Sequence, residues 1–356
     1  MNSLTAGEAA GADGTMRRPV RHEHSRLEVL QRDAYACVIC GSRTHDVHPI
    51  FDDALWDEGG DFAENGVALC AQHRIDALTT SLSVETLLDR AGLAERPLPP
   101  QLHAVEKYDR WGNPLLADGR RARGELFFQP MVQQWLERGR ALPMFTAWVK
   151  YPRTYVLPWS DTIGEGDLWL ASLEPLSRDK VVVTEKMDGE NVSLYRDFLH
   201  TRSVQRIAHP SREWLNHFWE GVREKIPDDW RICGEYLYAS HTVSYDALRS
   251  YFLAFSVWNE RNICLSWDDT LAFLAELGIE PVPVLYAGPL EQDAIHQAWR
   301  EKQGQSEGYI VRSVGEIPYR RFRHLVGKYI RESYVQSEPV KDNMRTGAAI
   351  RKNALG

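Results

Sequence analysis

No stretch of the sequence approaches the roughly 18 consecutive apolar residues that a membrane-spanning helix needs. The N-terminus, MNSLTAGEAAGADGTMRR, lacks the apolar segment of a secretory signal. Cysteine is scarce, and five in 356 residues do not make a disulfide framework, so the compartment expected is the reducing cytoplasm. An overall positive field is missing too: 42 Lys and Arg against 50 Asp and Glu leave a net charge of −8. Any contact with nucleic acid must therefore use local patches. Two basic clusters exist, Arg17, Arg18, Arg21 and Arg26 near the start and Arg320, Arg321, Arg323, Lys328 and Arg331 near the end, and such runs are most often solvated faces. No internal repeat is visible. What remains is ordinary globular material, with 43% hydrophobic and 26% charged residues, which excludes a mostly disordered chain. The length suggests two or three domains, because one core rarely grows past ~250–300 residues.

Composition along the chain sets the expected divisions. Residues 1–24 are Gly/Ala-rich and polar and read as a disordered tail. Residues 25–93 are compact, with a short helix, a knuckle at CVIC, a hairpin, a helix opening near Cys70 and another in SVETLLDRAGL. Pro97, Pro99 and Pro100 then break the pattern. Residues 94–147 form a linker or accessory segment whose one convincing helix lies in FFQPMVQQWLERGR. From 148 to 335 the pattern is α+β. VVVTEKM, RICGEYLYA, SYFLAFSVWN, EPVPVLYAG and EGYIVRSV read as strands, and WDDTLAFLAELG and LEQDAIHQAWREKQG as amphipathic helices. Residues 336–356 are polar and are expected to be a frayed C-terminal tail.

Three cysteines and a histidine fall into two pairs, Cys37-x-x-Cys40 and Cys70-x-x-His73. Two such pairs, each presented by a tight turn or a helix start, can meet tetrahedrally around Zn²⁺. Cys233 and Cys264 lie in apolar, strand-like runs and read as small core residues. The text around the two pairs, RDAYACVIC, VHPI and ENGVALCAQHR, resembles the HNH nuclease family. The resemblance implies a small treble-clef, ββα zinc domain over roughly residues 26–80. It departs from the family at the general base, where Pro49 stands, and at a further metal-binding histidine, where Arg74 stands. Proline takes no proton and arginine binds no cation, so the domain reads as a nuclease-dead, zinc-stapled RNA-binding module. Asn65 is retained, His45, Asp46 and His48 are nearby, and Arg32, Arg43 and Arg74 suit phosphate contacts. The alternative is a zinc-knuckle HNH endonuclease with an auxiliary second domain.

The most informative stretch is Val181-Val-Val-Thr-Glu185-Lys186-Met-Asp188-Gly189-Glu190-Asn191. Alone, K-x-D-G is a weak signal that fits a strand ending in a turn. Its companions follow in order: His200-Thr201-Arg202-Ser203, Gly234-Glu235-Tyr236, Phe252-Leu253-Ala254-Phe255, Glu307-Gly308 through Arg312, and Val326-Gly327-Lys328 through Arg331. This series resembles the covalent nucleotidyltransferase superfamily and, within it, the ATP-dependent RNA ligases, over about residues 148–335. The resemblance implies an α+β nucleotidyltransferase core of antiparallel sheets with flanking helices, ATP-grasp-like in outline. It also implies joining of 3′-hydroxyl and 5′-phosphate RNA ends through a lysyl-AMP and an adenylylated 5′ end, in RNA repair, with a duplex or nicked RNA as partner.

By the same resemblance, Lys186 is the nucleophile, which has to be uncharged to attack, with Lys328 and Arg202 expected to favour the neutral form. Glu185 would read the adenine edge, Phe255 would stack on the ring, and Glu235 would hold the ribose. Asp188, Gly189 and Asn191 would order the lysine loop and its metal-bound waters, and Arg202 would meet ribose or phosphate. Glu307 and Asp188 would serve a divalent cation, Mg²⁺ or Mn²⁺, beside ATP. Lys328 would contact the α-phosphate. Ile330 stands where the family has a second lysine, with Arg331 next along as its substitute. Only 28 residues follow Lys328, too few for an oligonucleotide-binding barrel, so an RNA ligase is expected over a DNA ligase or a capping enzyme.

Overall fold

The computed structural model describes residues 23–56, 60, 62–93, 107–164, 166–202, 210–300, 306–332 and 351–356. The chain divides into two compact units, Met1–Thr146 and Ala147–Gly356. The tail expected over residues 1–24 lies outside the described residues up to position 22, and a helix, Glu23–Arg32, begins at its end. Among the described residues, no helix is long and apolar enough to cross a membrane.

In the first unit an antiparallel hairpin pairs Val47–Pro49 with Gly66–Ala68. The helix Ala71–Leu78 follows from Cys70. The next helix, Val84–Arg90, is capped by Ser83, whose hydroxyl accepts from the Thr86 N–H. Four short strands, Lys107–Tyr108, Pro114–Leu115, Arg121–Ala122 and Phe145–Thr146, make a second small sheet. The helix expected in FFQPMVQQWLERGR runs from Pro130 to Arg138. It starts at Pro130 because proline has no N–H to donate and suits the first helical position.

One apolar cluster joins Cys37, Ile50, Leu55, Leu69 and Leu87 to Tyr108, Trp111, Leu126 and Leu136. The indole N–H of buried Trp111 donates to the Leu78 carbonyl at 3.1 Å. A boundary after residue 93 was expected, yet the segments on either side of the prolines share this core. The short elements of 25–93 cannot bury their own apolar faces; residues 107–146 supply the missing cover.

The second unit contains two sheets. The first runs in the order Leu199–Thr201, Glu190–Leu194, Arg231–Tyr236, Phe252–Trp258, Ile263–Cys264, Ile317–Pro318, with every pair antiparallel. The second runs Val284–Gly288, Val181–Lys186, Gly308–Ser313, Val326–Ile330, Tyr155–Val156, and only its last pair is parallel. Val181, Val182 and Val183 are all buried, as an uninterrupted apolar run in an interior strand requires. The helix Trp267–Leu277 is capped by Ser266 and closed by Gly278 at φ +69°. Cys233 and Cys264 are buried.

Residues 351–356 depart from the expected frayed tail. Lys352 bridges to Ala239 and Leu355 to Leu248, and Asn353 is only 3% exposed. The polar side chain is buried because its amide is fully engaged by backbone groups, a feature that polarity alone does not reveal. Residues 336–350 of that tail lie outside the described residues.

Candidate active site

Lys186 ends an apolar strand, directly opposite Gly308 of the neighbouring strand. That register brings Glu307, the residue before Gly308, onto the lysine, and the Lys186 ammonium donates to the Glu307 carboxylate. Gly308 is required here, because a Cβ would lie 2.0 Å from the Tyr329 carbonyl oxygen. On the other sheet Asn191 and Glu235 are direct cross-strand partners. Gly189 lets the loop after Lys186 lie against that sheet; a Cβ there would meet the Tyr236 carbonyl oxygen at 2.6 Å. Glycines at these two motif positions thus permit close backbone approach.

A cavity of about 180 Å³ opens beside this lysine. Its charged and polar lining includes Glu185, Lys186, Asn191, Arg202, Glu235 and Lys328; its apolar lining includes Tyr151, Phe255, Val282, Ile310, Ile317 and Phe322. The Phe255 ring meets Tyr151 edge-on, with centroids 5.0 Å apart. Asn191 Oδ1 is buried with no hydrogen-bond partner among the described residues, so an acceptor lies at the cavity ready for a ligand donor.

Asp188 does not line the cavity. Its backbone N–H donates to the Tyr245 hydroxyl at 2.9 Å, and its carboxylate accepts from the Val243 N–H at 2.7 Å. Arg331 is not among the lining residues either; its backbone N–H donates to the Glu307 carbonyl at 3.3 Å. Ile330, the residue expected to stand in place of a second lysine, packs with Val243 and Tyr245 in the core. His200 is fully buried, and burial pushes its imidazole down to about 4. Ser203 lies outside the described residues.

The electrostatics correct one expectation. Lys328 and Arg202 were expected to press Lys186 towards its neutral form. Burial does act in that direction, but Glu307, Glu235 and Asp188 outweigh it and hold the ammonium above the ordinary lysine range. Burial pushes the Glu235 carboxyl up to about 8, against the pull of Lys186. Burial likewise raises Glu307. Lys328 is pushed down by burial and held partly up by Asp167, whose carboxylate accepts from its ammonium at 2.5 Å.

Asp167, Tyr151 and Tyr245 are the residues that sequence reasoning missed. Asp167 lies 161 positions before Lys328, in a stretch with no motif or periodicity to single it out. Tyr151 and Tyr245 sit in loops and gave no local signal. Arg312, the end of the motif that opens at Glu307, does more than close it. It is buried, lines the cavity, and donates to the carbonyls of Ser313 and Leu265 at 3.0 and 2.9 Å.

The first unit holds a separate cluster. Cys37, Cys40, Cys70 and His73 bring their ligand atoms within 4.8 Å of one another. Cys40 Sγ and Cys70 Sγ are 3.9 Å apart, and His73 Nδ1 is 3.4 Å from Cys37 Sγ and 3.2 Å from Cys70 Sγ. Tetrahedral zinc with bonds of about 2.3 Å to sulfur and about 2.0 Å to nitrogen would separate its ligands by roughly these amounts. Three thiols and an imidazole are also the donor set that zinc favours, so the residues fit that ion.

Near this cluster His48 is buried and contacts the Arg110 guanidinium. Burial, with Arg110 and Arg74 acting in the same direction, pushes the imidazole down to about 2. The Asn65 side chain is consumed by the Phe51 and Gly60 backbone at 2.8–2.9 Å. Arg32, expected to meet phosphate, instead donates to Asp33 and to the carbonyls of Ala63 and Gly66. Arg43 and Arg74 are exposed.

Residues 179–330 match the family model for RNA ligase. No curated protein sequence matches the chain. Among solved structures, an archaeal ATP-dependent RNA ligase is similar at 20% identity and TM-score 0.38, over 51% of this chain and 48% of that one. A mutant RNA ligase of Naegleria gruberi with ATP and Mn is similar at 14% identity and TM-score 0.37, over 53% of this chain and 58% of the other. The chain therefore spans about half the length of the first of these structures.

Proposed function

We propose that the chain is an ATP-dependent RNA ligase acting in RNA repair, with Lys186 as its nucleophile. The observation that carries this reading is Lys186 at the end of a buried strand, beside a cavity that also holds Phe255 and Lys328. The match of residues 179–330 to the RNA ligase family supports it independently.

The adenine of ATP would lie by Phe255 and Glu185, and the ribose hydroxyls by Glu235 and the unpartnered Asn191 Oδ1. Lys328 and Arg202 would meet the phosphates. Glu307, Glu235 and Asp188 favour the charged form of Lys186, so a proton has to leave before attack, and the hydrogen-bonded Glu307 carboxylate would take it. The Nζ lone pair then attacks the α-phosphorus, the bond to the bridging oxygen breaks, and pyrophosphate departs. A 5′-phosphate oxygen next displaces the lysine from the adenylyl phosphorus. A 3′-hydroxyl oxygen finally attacks the 5′-phosphorus and expels AMP, leaving a phosphodiester. A divalent cation, Mg²⁺ or Mn²⁺, would neutralise crowded phosphate oxygens, with Glu307 as the carboxylate beside Lys186; Asp188, whose carboxylate accepts from the Val243 N–H, would act on the lysine loop instead.

The zinc-ligand unit is read as an RNA-binding module without hydrolytic activity. Arg110 against His48, Pro49 in the general-base position and the engaged Asn65 all disfavour a nuclease. The exposed Arg43 and Arg74 suit phosphate contacts.

The test is incubation with α-labelled ATP and Mg²⁺ or Mn²⁺, followed by denaturing electrophoresis. The wild-type chain should retain label and Lys186→Ala should lose it entirely. Absence of label on folded wild-type protein that carries no AMP beforehand would sink the ligase reading.

A further inference from the structure

The lysine loop is held from behind by a segment far away in sequence. Residues 351–356 run along the 237–248 region with a ladder of backbone hydrogen bonds. Ser240 N–H donates to Arg351 O at 2.7 Å, Asn353 N–H to Tyr238 O at 3.0 Å, Ala354 N–H to Tyr245 O at 3.0 Å and Gly356 N–H to Leu248 O at 2.9 Å. The Lys352 ammonium sits over the rings of Tyr238 and Tyr251, 4.7 and 5.1 Å from their centroids.

Asn353 is the peg of this strap. Its buried amide donates to Leu237 O at 2.8 Å and to Ala239 O at 3.2 Å, and its oxygen accepts from the Tyr245 N–H at 3.0 Å. The Tyr251 hydroxyl donates to the Asn353 carbonyl at 3.0 Å. A buried polar side chain is costly unless satisfied, and here every bond goes to the segment under the lysine loop. That segment in turn holds the loop. The Tyr245 hydroxyl accepts from the Asp188 N–H, and the Val243 N–H donates to the Asp188 carboxylate. Gly189 packs on the Tyr236 carbonyl and the Leu237 side chain, beside the carbonyl that Asn353 engages.

We infer that residues 351–356 form a positioning strap for the Lys186–Gly189 loop, with Asn353 acting through Tyr245 on Asp188. Its consequence for activity rests on the ligase reading; its consequence for the loop does not. Asn353 touches no reacting atom, so it is a positioning residue. Loss of its bonds frees the 240–248 segment and lets Asp188 and Lys186 drift, while Phe255 and Glu185 still line the cavity.

Two measurements on the full chain test this. In the first, amide hydrogen exchange compares wild type with Asn353→Ala and with Tyr245→Phe, which removes only a hydroxyl. Asn353→Ala should raise exchange over residues 240–248 and at 187–189, and Tyr245→Phe should raise it at 187–189. Unchanged protection at 187–189 in either folded variant would overturn the inference. In the second, lysine labelling by α-labelled ATP is timed across ATP concentrations. Asn353→Ala should slow labelling at saturating ATP by about tenfold or more, as expected for a nucleophile loosened by under 1 Å, with little change in the half-saturating concentration. A change confined to half-saturation would refute positioning. If wild type itself takes no label, the ligase reading fails, and the exchange result alone decides the strap.

Discussion

Two lysines face the cavity and both are held by carboxylates, Lys186 by Glu307 and Lys328 by Asp167. Each pair must open or share before its ammonium can meet a phosphate. The Lys328–Asp167 pair is largely shielded, with side-chain exposures of 15% and 18%, yet its net worth is modest because the cost of desolvating both charges offsets most of their attraction. Releasing it removes a competitor worth roughly 1 kcal/mol, about fivefold in affinity. Asp167→Asn should therefore tighten binding of a non-hydrolysable ATP analogue by about that factor, measured by calorimetry. Weaker binding would instead make Asp167 a residue that aims Lys328. At this scale the sequence was legible where chemistry is written locally. Lys186, Asp188 and Gly189 lie within four consecutive positions, and Phe255 and Lys328 stand in short apolar strands. Asp167 was illegible because its partner is 161 positions away and one aspartate in a loop looks like any other. The sign of the lysine shift was also hidden. It depends on Glu235 reaching Lys186 from a second strand and Glu307 from just before a third, which sequence order does not disclose.

Elements place these residues through register, and register follows from patterns that are only partly visible in text. The run Val181–Val183 marks an interior strand, but its pairing with Gly308–Ser313 sets Lys186 against Gly308 and so delivers Glu307. In the first unit the hairpin Val47–Pro49 with Gly66–Ala68 carries His48 inward to Arg110. Arg110 arrives from a segment read beforehand as a linker, so this contact was out of reach of sequence reasoning. It has a consequence for acid stability. His48 stays neutral in the folded protein down to about 2, whereas an unfolded histidine titrates near 6.5. Between these values the unfolded chain binds the extra proton. The stability contributed by neutral His48 is thus complete above about 6.5 and is lost as the pH falls below it. Thermal melts of zinc-saturated protein between pH 7 and 5 should fall more steeply for wild type than for His48→Gln. Equal slopes would mean that His48 is protonated and paired in some other way.

At the scale of the whole molecule, each unit closes its own core. Cys37 through Ala141 contribute to one apolar cluster, and the clusters of the second unit draw on residues from Leu157 onward. The cavity, the lysine loop and residues 351–356 all belong to the second unit. The residues proposed for adenylylation therefore all lie in the second unit, whereas holding RNA is the role proposed for the first. A chain lacking residues 1–146 should label Lys186 with AMP at the wild-type rate. Cutting after residue 93 instead would split the shared core of Leu87 and Trp111 and confuse instability with function. Joining of RNA ends should fall at least about tenfold in the shorter chain, since a tethered second binding site raises the local concentration of substrate at the first. The loss should shrink as salt rises, because the contacts to phosphate proposed for Arg43 and Arg74 would weaken with salt in the full-length protein. Both activities are read from one gel, adenylylated protein and ligated RNA side by side. Equal sealing by both proteins would remove RNA binding from the zinc-ligand unit, and loss of labelling would show that the second unit depends on the first.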